Sequence, residues 1–320
     1  MPERWKLKTK EIKFAFFGPP RLMGILNATP DSFSDGGRFR ASKKDGTFEV
    51  DVDAVVETGR RLVKEGAALL DVGGESTRPG SEPIDEAEEL RRVIPVVSAL
   101  SRAVDVPISV DTYRPSVADA ALEAGAEIIN DVSAGRFISS EGRFAGENEI
   151  GFPEDMAEVV RRHKAAVVLV AARGTPKGLP EKDYDLCDEI ECDAFEFLKR
   201  RRDRFVELGV PLEQMAFDPG IGFGKTTKQD WRLIRESDIF FQLGGVVLYG
   251  CSRKRFLMET ARSFAKSRGI PFDDSIEARD CATALVTNML DRRGIHVLRV
   301  HNVAASALTF EFAAFTRDWR

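Results

Sequence analysis

The stretch MGILNATPDSFSDGG, at Met23–Gly37, decides the fold. Its first part, Met23–Leu26, is a short apolar run of the kind that forms buried strands in parallel sheets. The run stops at Asn27, and the turn residues that follow predict a loop. Proteins of the α/β class place their functional groups at such strand ends. An ordinary polar loop is the alternative, although it would need only Gly, Pro and solvated polar residues.

Short apolar runs alternate with amphipathic stretches along the chain, which predicts βαβ units and a parallel sheet. We predict strands near residues 21–27, 67–73, 107–111, 127–132, 165–171, 213–218, 246–251 and 297–301, with helices between them and a last helix at Ala304–Phe315. Eight such units match a closed (β/α)₈ barrel. An open doubly wound sheet would normally have a Gly-rich dinucleotide turn after its first strand, where this chain has NATPDSF. The barrel is therefore favoured.

The domain prediction is a single α/β barrel of the (β/α)₈ TIM type over residues 1–320. Residues 1–20 carry mixed charge, three phenylalanines and a Gly-Pro-Pro sequence, which predict a hairpin-like N-terminal extension that closes the bottom of the barrel. Three segments are rich in Gly, Ser and charged residues, and we predict that they are loop insertions: 38–51, 136–153 and 256–277.

Composition restricts the class of protein. The 320 residues are 43% hydrophobic and 31% charged, with a formal net charge of -5, as in soluble globular proteins. No apolar run approaches the ~20 residues that cross a bilayer. The charged N-terminus lacks the apolar core of a secretion signal, so a cytoplasmic location without membrane binding is predicted. Four cysteines without a CxxC pair do not form a disulfide framework, and the absence of a basic tail argues against nucleic-acid binding.

Polar and charged residues that could bind a ligand or take part in catalysis lie at the carboxyl ends of the predicted strands. They are Asn27, Glu75, Asp111, Asn130, Asp218, Lys254, Arg299 and His301. In a barrel these ends form one mouth, so residues that are far apart in sequence are expected to converge.

Asp111, Asn130 and Asp218 follow apolar runs and are expected to be partly buried, where an unpaired carboxylate would be costly. Salt bridges or backbone caps are one explanation of these residues. The functional alternative is a flat heterocycle with an amidine-like donor edge, because carboxylates accept hydrogen bonds from N–H groups and an amide both donates and accepts.

Arg299 and His301 stand two residues apart on the last predicted strand, so both side chains point to the same side of it. With Asn27 and Arg78 nearby, these cationic donors predict a diphosphate site. His163, on a predicted helix, and His296, just before the last strand, are expected to be structural or solvated.

FDPGIGFGKT, at Phe217–Thr226, superficially resembles a nucleotide-binding loop. It does not fit a Walker A pattern, which requires Gly where this chain has Pro219, and it does not fit GxGxxG, because Thr227 replaces the last Gly. Its glycines instead allow the backbone to pass close to a flat ligand.

Seven segments together resemble the dihydropteroate synthase family in the family's order and over nearly the whole chain. They are MGILNATPDSFSDGG at Met23–Gly37, DVGGESTRPG at Asp71–Gly80, SVDTYRP at Ser109–Pro115, IINDVSAG at Ile128–Gly135, FDPGIGFGK at Phe217–Lys225, SRK at Ser252–Lys254 and RVH at Arg299–His301. The resemblance implies a transferase of folate biosynthesis that condenses 6-hydroxymethyl-7,8-dihydropterin diphosphate with p-aminobenzoate. It also implies Mg²⁺ dependence and a homodimer.

The resemblance also assigns residues. The pterin ring would be held by Asp111, Asn130, Asp218, Lys254, Phe223 and Gly250. The p-aminobenzoate site would use Phe33, Thr77, Arg78 and Ser252, with Lys254 near its carboxylate. The diphosphate site would use Asn27, Arg78, Arg299 and His301, with Asn27 also a Mg²⁺ ligand. The groups nearest the chemistry would be Asp31, facing the reacting carbon, with Lys254, Arg299 and His301.

Three places depart from the family's pattern. Val170-Ala171-Ala172 stands where the family usually has Met-His-Met, Gln229-Asp230 replaces a His-Asn pair, and Asn302 replaces an Asp. These changes leave two alternatives open: a pterin-dependent methyltransferase on the same barrel, or a non-catalytic pterin-binding paralogue. The anion-binding residues count against the methyltransferase, which has no use for a diphosphate site.

Overall fold

The computed structural model describes residues 2–15, 18–29, 40–42, 48–75, 84–146, 155–172 and 189–317. The strands are Arg4–Lys6 (β1), Glu11–Lys13 (β2), Arg21–Asn27 (β3), Arg40–Ser42 (β4), Phe48–Val50 (β5), Ala67–Gly73 (β6), Ile108–Asp111 (β7), Ile128–Asp131 (β8), Phe137–Ile138 (β9), Arg143–Phe144 (β10), Ala166–Val170 (β11), Met215–Asp218 (β12), Val246–Tyr249 (β13) and Val297–Val300 (β14).

The helices follow the strands as the alternation predicts. They are Val52–Lys64 (α1), Glu86–Ala103 (α2), Pro115–Glu123 (α3), Asp155–His163 (α4), Ile190–Glu207 (α5), Thr227–Arg235 (α6), Arg255–Arg268 (α7), Ile276–Arg292 (α8) and Val303–Arg317 (α9), with short 3₁₀ turns at Leu212–Gln214 and Ser237–Leu243. Among the described residues, none of these helices is long and apolar enough to cross a bilayer.

Eight parallel strands close into a barrel, which confirms the predicted fold class. Their order is β3, β6, β7, β8, β11, β12, β13 and β14, and β14 pairs back onto β3 with Arg299 opposite Met23. The strands lie within two residues of the predicted ranges because each is an almost entirely buried apolar run. Side chains on one face of each strand pack against the helices, and those on the other face fill the barrel.

Helix starts are fixed by local capping. Asp51 accepts a hydrogen bond from the N–H of Ala54 at the start of α1, and Ser275 accepts one from Ala278 at the start of α8. Pro115 occupies the first turn of α3, where its missing N–H costs nothing. These caps set where each helix leaves the mouth.

The N-terminal extension forms the predicted hairpin, in which β1 pairs antiparallel with β2. Trp5 is fully buried among the inner residues of the barrel, and its Nε1–H donates to the carbonyl of Gln214 at 3.1 Å. Gln214 immediately precedes β12, so the hairpin closes the amino-terminal end of the barrel. A ligand site is therefore expected at the opposite end of the barrel.

The prediction of a loop at 256–277 is wrong for most of its length, because residues 256–268 belong to α7 and 276–277 begin α8. Phe256, Leu257, Met258 and Ala265 form the buried face of α7, and the charged residues that suggested a loop occupy its outer face. The other two insertions contain short antiparallel hairpins, β4–β5 and β9–β10. Residues 38–39, 43–47 and 147–153 of those two segments lie outside the described residues.

Candidate active site

The barrel mouth brings together side chains from strands far apart in sequence. Asn27, Asp111 and Asp218 are the last residues of β3, β7 and β12, while Asn130 and Arg299 lie near the ends of β8 and β14. Asn130 and Asp218 are buried, and the other three keep partial exposure. The predicted convergence at one rim is therefore present in the described residues.

Arg299 is held between two carboxylates. Its Nε donates to Asp71 Oδ2 at 2.6 Å, and its Nη2 donates to Asp111 Oδ2 at 3.0 Å. The same Asp71 oxygen accepts from Asn130 Nδ2 at 3.2 Å. Strands β6, β7, β8 and β14 are thereby joined through one charge-assisted network across the barrel.

Sequence reasoning missed Asp71, which is fully buried within β6. An acid in the apolar run AALLDVG was the available signal, because a carboxylate in a buried strand must find a partner. That partner, Arg299, lies 228 residues away in sequence.

Burial raises the pKa of Asp111 to about 7, because removal from water outweighs the opposing effect of Arg299, and the nearby Asp71 adds to the rise. An unfolded Asp titrates near ~3.9, so the folded state retains this proton over a window of about pH 4 to about 7. The contribution of Asp111 to stability is therefore fully present below about pH 4 and is lost as pH rises through about 7.

Asp111 should accept ligand N–H groups in a way that depends on pH. Affinity for 6-hydroxymethylpterin should increase as pH rises from about 6 to about 8. The ionised carboxylate only accepts hydrogen bonds, whereas the protonated form carries an O–H donor that would compete with acceptance from the ligand N–H groups. Asp111→Asn should bind more weakly and lose most of this pH dependence. Calorimetric titration across that range measures both quantities. A wild-type affinity that stays flat over the range would remove Asp111 from the ligand site.

The Gly-rich loop after β12 holds Asp218 in place. The N–H of Gly220 donates to Asp218 Oδ1 at 2.7 Å. Gly220 has φ of +73°, and a Cβ there would lie 2.3 Å from the carbonyl oxygen of Ala171, so only glycine fits.

The buried Lys225 Nζ donates to the carbonyls of Ala171 and Gly220 at 2.7 and 2.9 Å. Lys225 was another residue that the sequence did not single out.

Lys254 and Phe223 form one side of the mouth. The ammonium lies 4.3 Å from the centre of the Phe223 ring, and it donates to the Ile221 carbonyl. Burial lowers the pKa of Lys254, although the neighbouring Asp218 opposes that shift. Gly250 lies beside Asp218, where a Cβ would be 3.7 Å from Asp218 Oδ2. Predicted pterin-site residues are thus adjacent to one another.

Ser252 and His301 meet at the loops after β13 and β14. Ser252 Oγ accepts the His301 backbone N–H at 3.1 Å and lies 3.0 Å from His301 Nδ1. The two loops are therefore joined at the predicted anion site.

Glu75 has a structural role. Its Oε2 accepts from Arg114 Nη1 at 2.6 Å and from the Tyr113 hydroxyl at 3.2 Å. Arg114 also pairs with the buried Glu89 of α2. The salt-bridge explanation therefore fits Glu75.

The other two histidines have structural partners, as predicted. His296 Nδ1 accepts the Val247 N–H at 3.0 Å, and burial lowers the pKa of this ring to about 4. His163 pairs with Asp119 on the neighbouring helix at 2.6 Å.

The residues at the first two departures from the family pattern, Val170-Ala171-Ala172 and Gln229-Asp230, all have structural contacts. Ala171 supplies the carbonyl that binds Lys225, and Val170 and Ala172 line the barrel interior. Gln229 forms a capping box with Thr226 at the start of α6. Asp230 Oδ1 accepts the N–H of Gly222 at 2.7 Å and so fixes the Gly-rich loop.

Asn302, the third departure, faces Asp280 of α8. Its Nδ2 donates to Asp280 Oδ2 at 2.9 Å, and its Oδ1 accepts the Ala305 N–H at 3.0 Å, which caps α9. The Asp that the family usually has here would place a second carboxylate against Asp280, so the amide suits this neighbour.

Part of the predicted site lies outside the described residues. Asp31, Phe33, Thr77 and Arg78 belong to that part. The predicted p-aminobenzoate site is represented in the structure by Ser252 and Lys254.

A metal ion would find no preformed protein cage among the described residues. Among them no group of three or more His, Cys, Asp or Glu side chains is placed to hold a metal ion. Asn27 offers an amide oxygen at the end of β3, beside Gly73. This donor fits Mg²⁺ that takes most of its ligands from water and substrate phosphates, as Mg²⁺ commonly does.

Comparison with known proteins places this site in a family. Residues 23–301 match the family model described as pterin binding enzyme. The match covers more than half of the chain, so the chain belongs to the pterin-binding enzyme family.

Dihydropteroate synthases are among its similar proteins. The dihydropteroate synthase of Streptococcus pyogenes serotype M3 is 34% identical over 294 residues, which is 92% of this chain and 94% of that protein. The Xanthomonas albilineans dihydropteroate synthase with 4-aminobenzoic acid has a TM-score of 0.77, with 34% identity and 99% of both chains covered. The same enzyme in complex with 7,8-dihydropteroate has a TM-score of 0.74, with 32% identity and 98% of both chains covered.

Proposed function

We propose that this protein is a dihydropteroate synthase, which condenses 6-hydroxymethyl-7,8-dihydropterin diphosphate with p-aminobenzoate to give 7,8-dihydropteroate and diphosphate. The observation that carries the proposal is the set of acceptors at the mouth: Asp111, Asn130 and Asp218 lie around one rim, beside Lys254 over the Phe223 ring. Relatives of the same fold bind 4-aminobenzoic acid and 7,8-dihydropteroate.

The pterin ring matches this set chemically. Its amino and ring N–H groups are donors, which carboxylates accept, and Asn130 both accepts and donates. Phe223 offers an aromatic ring to a flat ligand, and the ammonium of Lys254 lies 4.3 Å from the centre of that ring. The Arg299 pairing orients Asp111 toward the mouth before a ligand arrives.

The reaction forms a C–N bond and breaks a C–O bond at the same methylene carbon. The amine nitrogen of p-aminobenzoate attacks that carbon, diphosphate leaves with the bonding electrons, and the amine then loses a proton. Asn27, Arg78, Arg299 and His301 would bind the diphosphate, and Asp31 would stabilise the electron-poor methylene. Arg299 is already neutralised by two carboxylates, so we assign most of the anion binding to the other three residues.

Mg²⁺, held by Asn27 and diphosphate oxygens, would supply charge neutralisation of the leaving group. The loops that follow β3 and β6 would cover the substrates and exclude water, which limits hydrolysis.

Incubation of the purified protein with Mg²⁺, the pterin diphosphate and p-aminobenzoate tests the function. We expect dihydropteroate and diphosphate in equal amounts. Tight pterin binding without product would indicate the non-catalytic paralogue. Methyl transfer from a methylated pterin, without use of the diphosphate, would indicate the methyltransferase. Either of the last two results overturns the proposal.

We also propose a homodimer formed through α8 and α9, which pack against each other. Their outer faces expose large apolar side chains at helical spacing: Leu285, Met289, Leu308, Phe312 and Phe315, which are 49–71% exposed. A second copy of the same patch would cover them, as in a two-fold interface.

Leu285→Glu combined with Phe312→Glu should convert the dimer to a monomer, because each charge would be desolvated in the interface. Sedimentation velocity measures the change against the chain mass of 35.5 kDa. Val206→Glu, at another exposed apolar position on α5, is the control and should leave the dimer intact. A monomeric wild-type protein would contradict this assembly.

A further inference from the structure

Arg253 stands between two predicted site residues, Ser252 and Lys254, and has a left-handed backbone with φ of +58°. This conformation is unfavourable for a residue other than glycine, so the surrounding structure must hold it. Whatever holds Arg253 therefore also sets the positions of Ser252 and Lys254.

Hydrogen bonds from helix α8 keep Arg253 in this left-handed conformation. The Arg253 N–H donates to Thr283 Oγ1 at 3.0 Å, and its carbonyl accepts from Arg279 Nη1 at 3.2 Å. The guanidinium donates to both oxygens of Asp280, at 2.6 and 2.9 Å. Backbone and side chain of Arg253 are thus both bound to one face of α8.

The same Asp280 also reaches the second site loop. It accepts the Asn302 amide, and Asn302 follows His301 directly. His301 in turn contacts Ser252, so the loops after β13 and β14 form one unit around Asp280. Asp280 is only 9% exposed and lies beside, not inside, the ring site. Its charge-assisted bonds are therefore little weakened by solvent.

From this geometry we infer that Asp280 is a positioning residue of the site: it fixes Ser252 and Lys254 through Arg253, and His301 through Asn302. The inference rests on the proposed function for its kinetic consequence, since Ser252 and Lys254 would bind p-aminobenzoate. The structural consequence, that Asp280 holds Arg253 in its left-handed conformation, does not depend on the reaction.

The test uses Asp280→Asn, Asn302→Asp and the double variant in the full-length protein. Asp280→Asn removes the carboxylate charge that faces Arg253, and Asn302→Asp puts two carboxylates together. Either single change should raise KM for p-aminobenzoate about 10-fold, with kcat changed less than about 3-fold, as expected for one lost charge-assisted hydrogen bond. The double variant regains one carboxylate and one amide and should recover to within about 3-fold of wild type.

Backbone amide exchange provides a readout that is independent of catalysis. Exchange at Arg253 and His301 should accelerate about 10-fold in each single variant and return toward the wild-type rate in the double variant. Glu277→Gln, an exposed position on the first turn of the same helix with the same change in charge, should leave both KM and exchange unchanged.

Lower thermal stability of Asp280→Asn with unchanged exchange and unchanged KM would make Asp280 merely structural and would overturn the inference. Failure of the double variant to recover would also overturn it. If the wild-type protein makes no dihydropteroate, the proposed function fails, and the exchange rates still decide the role of Asp280.

Discussion

Arg299→Met should destabilise the protein by about 3–5 kcal/mol at neutral pH, the cost of breaking a buried ion pair by removing one partner. Asp71 is fully buried, Asp111 keeps partial exposure, and both would lose their shared cation. Urea denaturation measures the difference in unfolding free energy between wild type and variant. This difference should shrink as pH falls toward about 7, where wild-type Asp111 takes up its proton, and should change little below about 7, where Asp111 is protonated in both folded proteins.

Arg299→Lys is the matched control, because it keeps the charge but cannot bridge two carboxylates in the same planar geometry. It should recover part of the stability and little of the pterin affinity. A stable Arg299→Met variant that loses only diphosphate binding would contradict the stabilising role of the ion pairs with Asp71 and Asp111. It would indicate that Arg299 serves only to bind the anion.

Asp218→Asn should weaken pterin binding about 100-fold, because it replaces a charged acceptor by an amide that can direct donors at ligand N–H groups. The amide oxygen can still accept the Gly220 N–H, so the Gly-rich loop and the fold should persist. Calorimetric binding of 6-hydroxymethylpterin and thermal unfolding, measured on the same preparation, separate these effects.

Asp131→Asn is the control for this substitution. Asp131 is equally buried at the end of β8, but its carboxylate accepts from Ser133 and Gly135 in a turn on the other side of the strand. Both oxygens of Asp131 accept hydrogen bonds and an amide can replace only one of them, so this substitution should lower stability and leave pterin affinity within about 3-fold of wild type. If Asp218→Asn also changes only stability, Asp218 has a structural role alone, and the pterin ring does not bind where we propose.

The barrel could be predicted from sequence because each of its strands is a buried apolar run of fitting length, separated by helical spacing. The strand-end polar residues followed from the same reasoning, since the barrel geometry alone brings those ends together. Helix α7 was mistaken for a loop because its buried face is narrow and its charged outer face dominates the composition.

The partners of the site residues could not be predicted. Asp71 and Arg299 are 228 residues apart, and Asp280 reaches Arg253 and Asn302 from a helix whose spacing carries no sign of a site. Lys225 resembles a solvated lysine in sequence, yet it is buried and binds loop carbonyls. Such contacts depend on three-dimensional packing, which local patterns do not encode.

A crystal structure with the pterin diphosphate bound tests the central claim most directly. We expect the ring to lie between Asp111, Asn130 and Asp218 with Phe223 against its face, and the diphosphate to extend toward Asn27 and His301. A ring bound elsewhere, or bound here with its donor edge turned away from both carboxylates, would contradict the account.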